Sequence, residues 1–232
     1  LKVKDKRTYL YITITPTTTK RGSQIKIQGN LSSESEGYLP NEIINIFYNE
    51  TLTKNTTSSS QGEFQINIDI PRNSSLGNIP VRVHYPGDEV YAEANDEKEI
   101  LVNAETKISF IYPTGKNIEI NKTILISGIL TDNINQPLEN HTISITWRSY
   151  NVDVTTNTSG IFAINYIIPV TANLGSSTLS ANFHGEEYYL PSESKLQINI
   201  IKPGTNDEKS QNTYILLAIA IGVFAIIIGV VM

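Results

Sequence analysis

A chain of 232 residues with a formal charge of −5 has room for two folded units and carries no basic block, which excludes a nucleic-acid surface. It contains no cysteine, so disulfides, thiol nucleophiles and thiolate metal sites are excluded together. Ile, Thr, Asn and Tyr are abundant whereas Met and Trp occur once each, a composition suited to strands.

In chain order, residues 1–8 are a charged lead without periodicity. No signal peptide precedes Leu1, so the chain reads as a piece of a longer precursor. Tyr9, Tyr11, Ile12 and Ile14 begin a strand that Pro16 closes. Ile25 and Ile27 alternate with polar residues up to Gly29, which is predicted to break that strand, and residues 32–40 read as a polar loop. Ile44, Ile46 and Tyr48 alternate as the next strand. Residues 49–61, rich in Thr and Ser, read as a turn or a short edge strand with a solvated tip. Phe64, Ile66, Ile68 and Ile70 form one apolar face against Gln65, Asn67 and Asp69, as a half-buried antiparallel strand requires. Val81, Val83 and Tyr85 give a further strand, and Ile100 with Val102 the last.

The same order then returns. Gly29, Leu31, Ile44, Ile46 and Tyr48 recur 99 residues later as Gly128, Leu130, Ile143, Ile145 and Trp147. After the 49–61 segment the displacement falls to 98, so one residue has been lost there. At that spacing Gly62, Phe64, Leu76, Gly77, Tyr85, Gly87 and Tyr91 become Gly160, Phe162, Leu174, Gly175, Phe183, Gly185 and Tyr189. About seven short strands in a unit of about 100 residues is the profile of an immunoglobulin-like sandwich, with a generic β-barrel as the alternative. The fold class is therefore read as all-β: two tandem immunoglobulin-like β-sandwiches, residues 9–103 and 104–201, followed by one C-terminal transmembrane α-helix.

The pattern Gly-x-Phe, Leu-Gly, then an aromatic followed by Gly-Asp-Glu-x-Tyr resembles the tandem Ig-like repeats of archaeal and bacterial surface proteins, including adhesin-like proteins. It covers about residues 9–201, and the second copy departs from it at His184 and Glu186. The resemblance implies an exposed role as spacer, stalk or adhesive module, without specifying a partner.

Only Asn103, Ala104 and Glu105 separate the two copies, a linker short enough to predict end-to-end stacking. Residues 202–213 form a polar tether, and residues 214–232 run for 19 residues without a charge. A helix of that length spans about 28 Å, close to the hydrocarbon core of a bilayer. Its twelve Ile, Leu, Val and Phe side chains favour insertion, a buried core element being the alternative. Ala218, Gly222, Ala225 and Gly229 share one stripe of that helix, the small-residue surface on which membrane helices self-associate. Ala and Gly are also common in membrane helices that do not pair.

Lys202 and Lys209 are balanced by Asp207 and Glu208, so charge does not orient the span. Asn-x-Ser/Thr acceptor sites at Asn30, Asn49, Asn55, Asn73, Asn121, Asn140 and Asn157 favour an extracellular position for the sandwiches, as glycosylation would. They do not align between the copies.

The sequence offers no catalytic constellation and no cofactor motif. His84, His141 and His184 have no metal-pair spacing. The recurring acidic pairs Asp88-Glu89 and Glu186-Glu187 read as turn chemistry, a calcium site using Asp88, Glu89, Asp96 or Glu97 being the alternative. The expected function is a single-pass, membrane-anchored surface stalk or adhesion module with a protein or glycan partner, binding at residues 49–61 or their counterparts 149–159. The competing expectations are the stalk of a larger membrane-bound enzyme, protease- or transglutaminase-like, whose catalytic domain lies upstream of Leu1, and a cytoplasmic tail-anchored protein if Leu1 is close to the true start.

Overall fold

The computed structural model describes residues 6–204, and every regular element in them is a β-strand. Among these residues no helix is long and apolar enough to cross a membrane. The segment 214–232 expected to do so lies outside the described residues, as do most of the tether and the first five residues of the lead. The chain divides into two compact units between Glu105 and Thr106.

In the first unit the strands are β1 (Thr8–Thr15), β2 (Thr18–Lys20), β3 (Gln24–Ser33), β4 (Gly37–Tyr38), β5 (Ile43–Tyr48), β6 (Thr51–Thr57), β7 (Glu63–Asp69), β8 (Gly77–Tyr85) and β9 (Ala94–Asn103). β3 lies between β1 and β7, with β4 folded back on its end, and a second sheet has the order β2-β9-β8-β5-β6. Every pairing is antiparallel except β2 with β9. β1 and β2 are consecutive yet belong to opposite sheets, and the crossing falls at Pro16, whose missing N–H costs nothing where the chain leaves a ladder.

The second unit repeats this with β10 (Thr106–Tyr112), β11 (Asn117–Glu119), β12 (Thr123–Asp132), β13 (Thr142–Trp147), β14 (Tyr150–Thr155), β15 (Ile161–Ile167), β16 (Gly175–Phe183) and β17 (Ser192–Ile201). Its sheets are β10-β12-β15 and β11-β17-β16-β13-β14. A single bridge from Thr131 to Pro137 stands where the first unit has β4.

Period-2 alternation builds each core, because the two sheets of a sandwich bury one face each. Ile25, Ile27, Leu31, Ile44, Ile46, Val81, Val83, Ile100 and Val102 close the first, and Ile126, Leu130, Ile143, Ile145, Leu179, Ala181, Ile198 and Ile200 the second. Tyr48 and Trp147 are the large buried aromatics of the third long strand in each copy.

Gly29 does not end its strand: β3 continues through it to Ser33. Gly29 stands opposite Phe64, and a Cβ there would lie 2.5 Å from the Phe64 ring and 2.2 Å from the Tyr11 carbonyl oxygen. Gly128 stands opposite Phe162 in the same way, 2.4 Å from its ring. The aromatic of each Gly-x-Phe thus fills the space left by a glycine on the neighbouring strand, so the sheet keeps its ladder and its packing. The expected loop at 32–40 likewise contains β4, paired to the end of β3.

The residue lost between the copies has a structural counterpart. In the first unit Ile46 faces Lys54 but Phe47 faces Leu52, leaving Thr53 as a bulge in the β5–β6 hairpin. The β13–β14 hairpin pairs without interruption from Thr142–Thr155 to Trp147–Tyr150.

Candidate binding surfaces

The segment 62–91 and its copy prove to be framework. Gly62 and Gly160 both have φ of 70°, and their carbonyls accept the N–H of Leu31 and of Leu130 at 2.9 Å. A side chain at Gly62 would meet the Leu31 carbonyl oxygen at 2.3 Å, so the position needs both the left-handed backbone and the absent Cβ. The Asp88 N–H donates to the Tyr91 carbonyl at 3.0 Å, as that of Glu186 does to Tyr189 at 3.1 Å. Asp88 Oδ1 also accepts the N–H groups of Val90 and Tyr91, both at 2.7 Å, which commits this carboxylate to its turn. Tyr91 and Tyr189 pack back on their own cores.

Asp96 is committed too: Oδ2 accepts the Ile12 N–H at 2.9 Å and Oδ1 takes Lys98 at 3.0 Å. Among the described residues no three His, Asp or Glu side chains are placed to hold a metal ion. Lys6 pairs with Glu36, which also accepts the Tyr91 hydroxyl. These bonds lower the Glu36 pKa, Lys6 contributing most, and push that of Tyr91 up to about 12.

Buried hydroxyls fix the hairpins expected to carry binding. Ser58 Oγ donates to the Leu39 carbonyl at 2.7 Å and accepts the Glu42 N–H at 2.9 Å. Thr156 Oγ1 makes the equivalent bonds to Leu138 at 2.6 Å and from the His141 N–H at 3.0 Å. Between these latches, residues 49–61 and 149–159 contain β6 and β14, the outermost strands of the five-stranded sheets. The edge-strand alternative is therefore the correct one for residues 49–61, and β14 occupies the same place in the second unit.

The outer faces beside these edges differ in chemistry. In the first unit Phe47 points outward between the buried Ile46 and Tyr48, opposite Arg82. The Arg82 guanidinium lies over the Phe47 ring at 4.1 Å and reaches Glu50 at 3.5 Å. His84 meets the same ring edge-on, with centroids 6.4 Å apart, and its Nδ1 lies 2.9 Å from Asn95 Oδ1. The result is an aromatic and cationic strip across β5, β8 and β9. The same face in the second unit is small and polar: Thr146 and Ser180 replace Phe47 and Arg82, and Ser144 donates to Asp153 at 2.6 Å.

No family model matches the chain, and no curated protein matches it in sequence. Solved structures do. An ICAM-5 ectodomain fragment, domains D1 to D4, matches 84% of this chain and 54% of its own at 10% identity, with a TM-score of 0.52. Titin domains I67 to I69 match 85% of this chain and 66% of theirs at 10% identity, with a TM-score of 0.51. The chain thus spans about half of the first structure and two-thirds of the second. Its described part is a tandem of immunoglobulin-like sandwiches.

On these sandwiches the acceptor asparagines are dispersed. Asn49, Asn55, Asn73, Asn121, Asn140 and Asn157 are exposed, with Asn49 and Asn55 on the β5–β6 hairpin. Asn30 is half-buried on β3 and lines a shallow groove of about 600 Å³ with Tyr11, Gln28, Glu63 and Gln65 on the outer face of the smaller sheet. Ala218, Gly222, Ala225 and Gly229 lie outside the described residues. His184 is exposed, whereas His141 sits between the rings of Phe183 and Tyr189 with Glu186 2.9 Å from its Nδ1. The Phe47–Arg82–His84 strip was missed in the sequence. Its one signal is an aromatic at an outward position of an alternating strand.

Proposed function

We propose that this chain is a single-pass membrane-anchored surface protein whose immunoglobulin-like units serve as a stalk and adhesion module, binding a protein or glycan non-covalently and catalysing no reaction. The observation that carries the binding role is the solvent-facing strip of Phe47, Arg82 and His84 beside an exposed edge hairpin. Aromatic and arginine side chains together are the residues on which contact energy concentrates. The uncharged segment 214–232 supports anchoring, and six exposed acceptor asparagines support an extracellular position. The ectodomain origin of one structural neighbour is in keeping with that position.

Two measurements on cells displaying the full chain test this reading. Protease added to intact cells should remove both units, and survival of the chain would place them inside. Adherence of those cells to immobilised cell-surface proteins and glycans should fall severalfold with Phe47→Thr and Arg82→Ser together, which give the strip the residues of the second unit. Unchanged adherence would remove the strip from the function.

A further inference from the structure

The second unit has one end whose surface is at odds with a water-facing position. β15 stops at Ile167, a turn from Pro169 to Ala172 closes with an N–H to carbonyl bond of 2.9 Å, and Leu174 leads into β16. Ile167 is 64% exposed, Val170 69% and Leu174 48%, so three neighbouring aliphatic side chains face outward. The equivalent positions of the first unit are Asp69, Arg72 and Leu76, the last half-buried against its core. Two charged groups have thus been exchanged for aliphatic ones within an otherwise repeated frame.

This is also the end from which the chain departs. The Ile201 carbonyl accepts the Ile120 N–H at 3.1 Å, Asn121 donates to Ile168 at 2.8 Å, and Ile168 donates to Lys122 at 2.9 Å. The Gly204 N–H donates to Glu119 at 3.0 Å. Apolar loop and chain exit are therefore stitched into one surface. Lys122 and Lys202 are exposed on it, and Glu119 is its carboxylate. Nine residues, 205–213, then lead to the apolar segment, and they span at most about 30 Å.

We propose that this end of the second unit rests on the bilayer, with Ile167, Val170 and Leu174 at the boundary between headgroups and acyl chains and the lysines on anionic headgroups. The proposal rests on the membrane-anchored reading above. A tether so short keeps the patch at high effective concentration near the lipid, so a contact too weak to recruit a free protein suffices to dock a tethered one. Burial of such side chains places them about 5–10 Å into the interfacial region. The sandwich is then held at a fixed attitude to the membrane instead of swinging on its tether.

The absence of cysteine makes the test direct. In the full chain, Val170→Cys is labelled with a fluorophore and reconstituted into phosphatidylcholine–phosphatidylglycerol vesicles carrying a headgroup-attached quencher. Tyr188→Cys, an exposed position at the other end of β16, is the reference, displaced by about 26 Å along the strand. The proposal expects co-flotation with the vesicles, quenching severalfold stronger at position 170 than at 188, and loss of that difference with Ile167→Asp while flotation persists. Equal quenching in a chain that floats overturns the proposal and leaves the anchor standing. Failure to float overturns both. Self-quenching between labels at 170 that grows with protein density and ignores the lipid quencher assigns the patch to a second copy, and also overturns it.

Discussion

The interiors of the two units keep the same apolar frame and in one place exchange volume between neighbours, whereas their outer faces differ in kind. Val83 becomes Ala181 where Tyr48 becomes Trp147, so volume removed at one core position reappears nearby on the adjacent strand. The polar end of each aromatic also meets a serine hydroxyl, though from a different position in each copy: the Tyr48 hydroxyl meets Ser74, and Trp147 Nε1 donates to Ser177 at 3.0 Å. Outside, no such accounting holds. Thr146 and Ser180 stand at the positions of Phe47 and Arg82, and Ile167 and Val170 at those of Asp69 and Arg72. Packing density constrains what lies between the sheets, while the outward positions are free to carry a different task in each unit.

Equivalence of the frames is the first thing to attack. Phe64→Ala and Phe162→Ala should each cost about 3–5 kcal/mol, since either leaves a cavity over a glycine that cannot fill it. Chemical denaturation followed by circular dichroism measures this, and a large cost in only one copy would break the equivalence. Ser58→Ala and Thr156→Val should follow at about 1–3 kcal/mol, each leaving a backbone N–H and a carbonyl unsatisfied. Exchanging the strip, by Phe47→Thr with Arg82→Ser, should change stability by no more than about 1 kcal/mol while reducing adherence. A large stability loss would mean that the strip belongs to the frame.

The smallest effect concerns pH. Tyr91 is held above the ordinary tyrosine value of 10.0 by its bond to Glu36, so that contact contributes fully below pH 10 and is lost as pH rises through about 12. Glu36 is lowered below 4.5, so its contribution is present above that value and fades as the solution is acidified past it. Tyr91→Phe should flatten the alkaline limb of a melting-temperature profile slightly. An unchanged limb would show that this contact, which has no counterpart around Tyr189, is energetically silent.

The long strands were legible in the sequence because each buries one face, and alternation records that burial locally. The 62–91 grammar was legible as turn chemistry because its second copy kept the glycines and the tyrosine. Gly29 was misread as a breaker because its cost is met by Phe64, whose contact with it depends on strand pairing over a long sequence separation. β2, β4 and β11 are too short to hold a period. The indel was visible, but its meaning as a bulge at Thr53 needed the register of β5 against β6. The Phe47–Arg82–His84 strip stayed hidden for the same reason, since its members meet only when β5 and β8 are paired.

That bulge bears on how copies of this protein tolerate being packed side by side. The outermost strand of a sheet offers unpaired N–H and C=O groups to any strand that comes alongside. β6 presents a kinked edge whose residues are polar except for Leu52, and Lys54 is drawn across it to the Asn67 carbonyl at 2.9 Å, so a second chain finds no regular ladder to extend. β14 has no kink and carries Val152 and Val154 between its polar residues. In a dense layer of these molecules, unwanted strand addition would therefore start at β14, and a charge or a proline there is where resistance to aggregation would be gained.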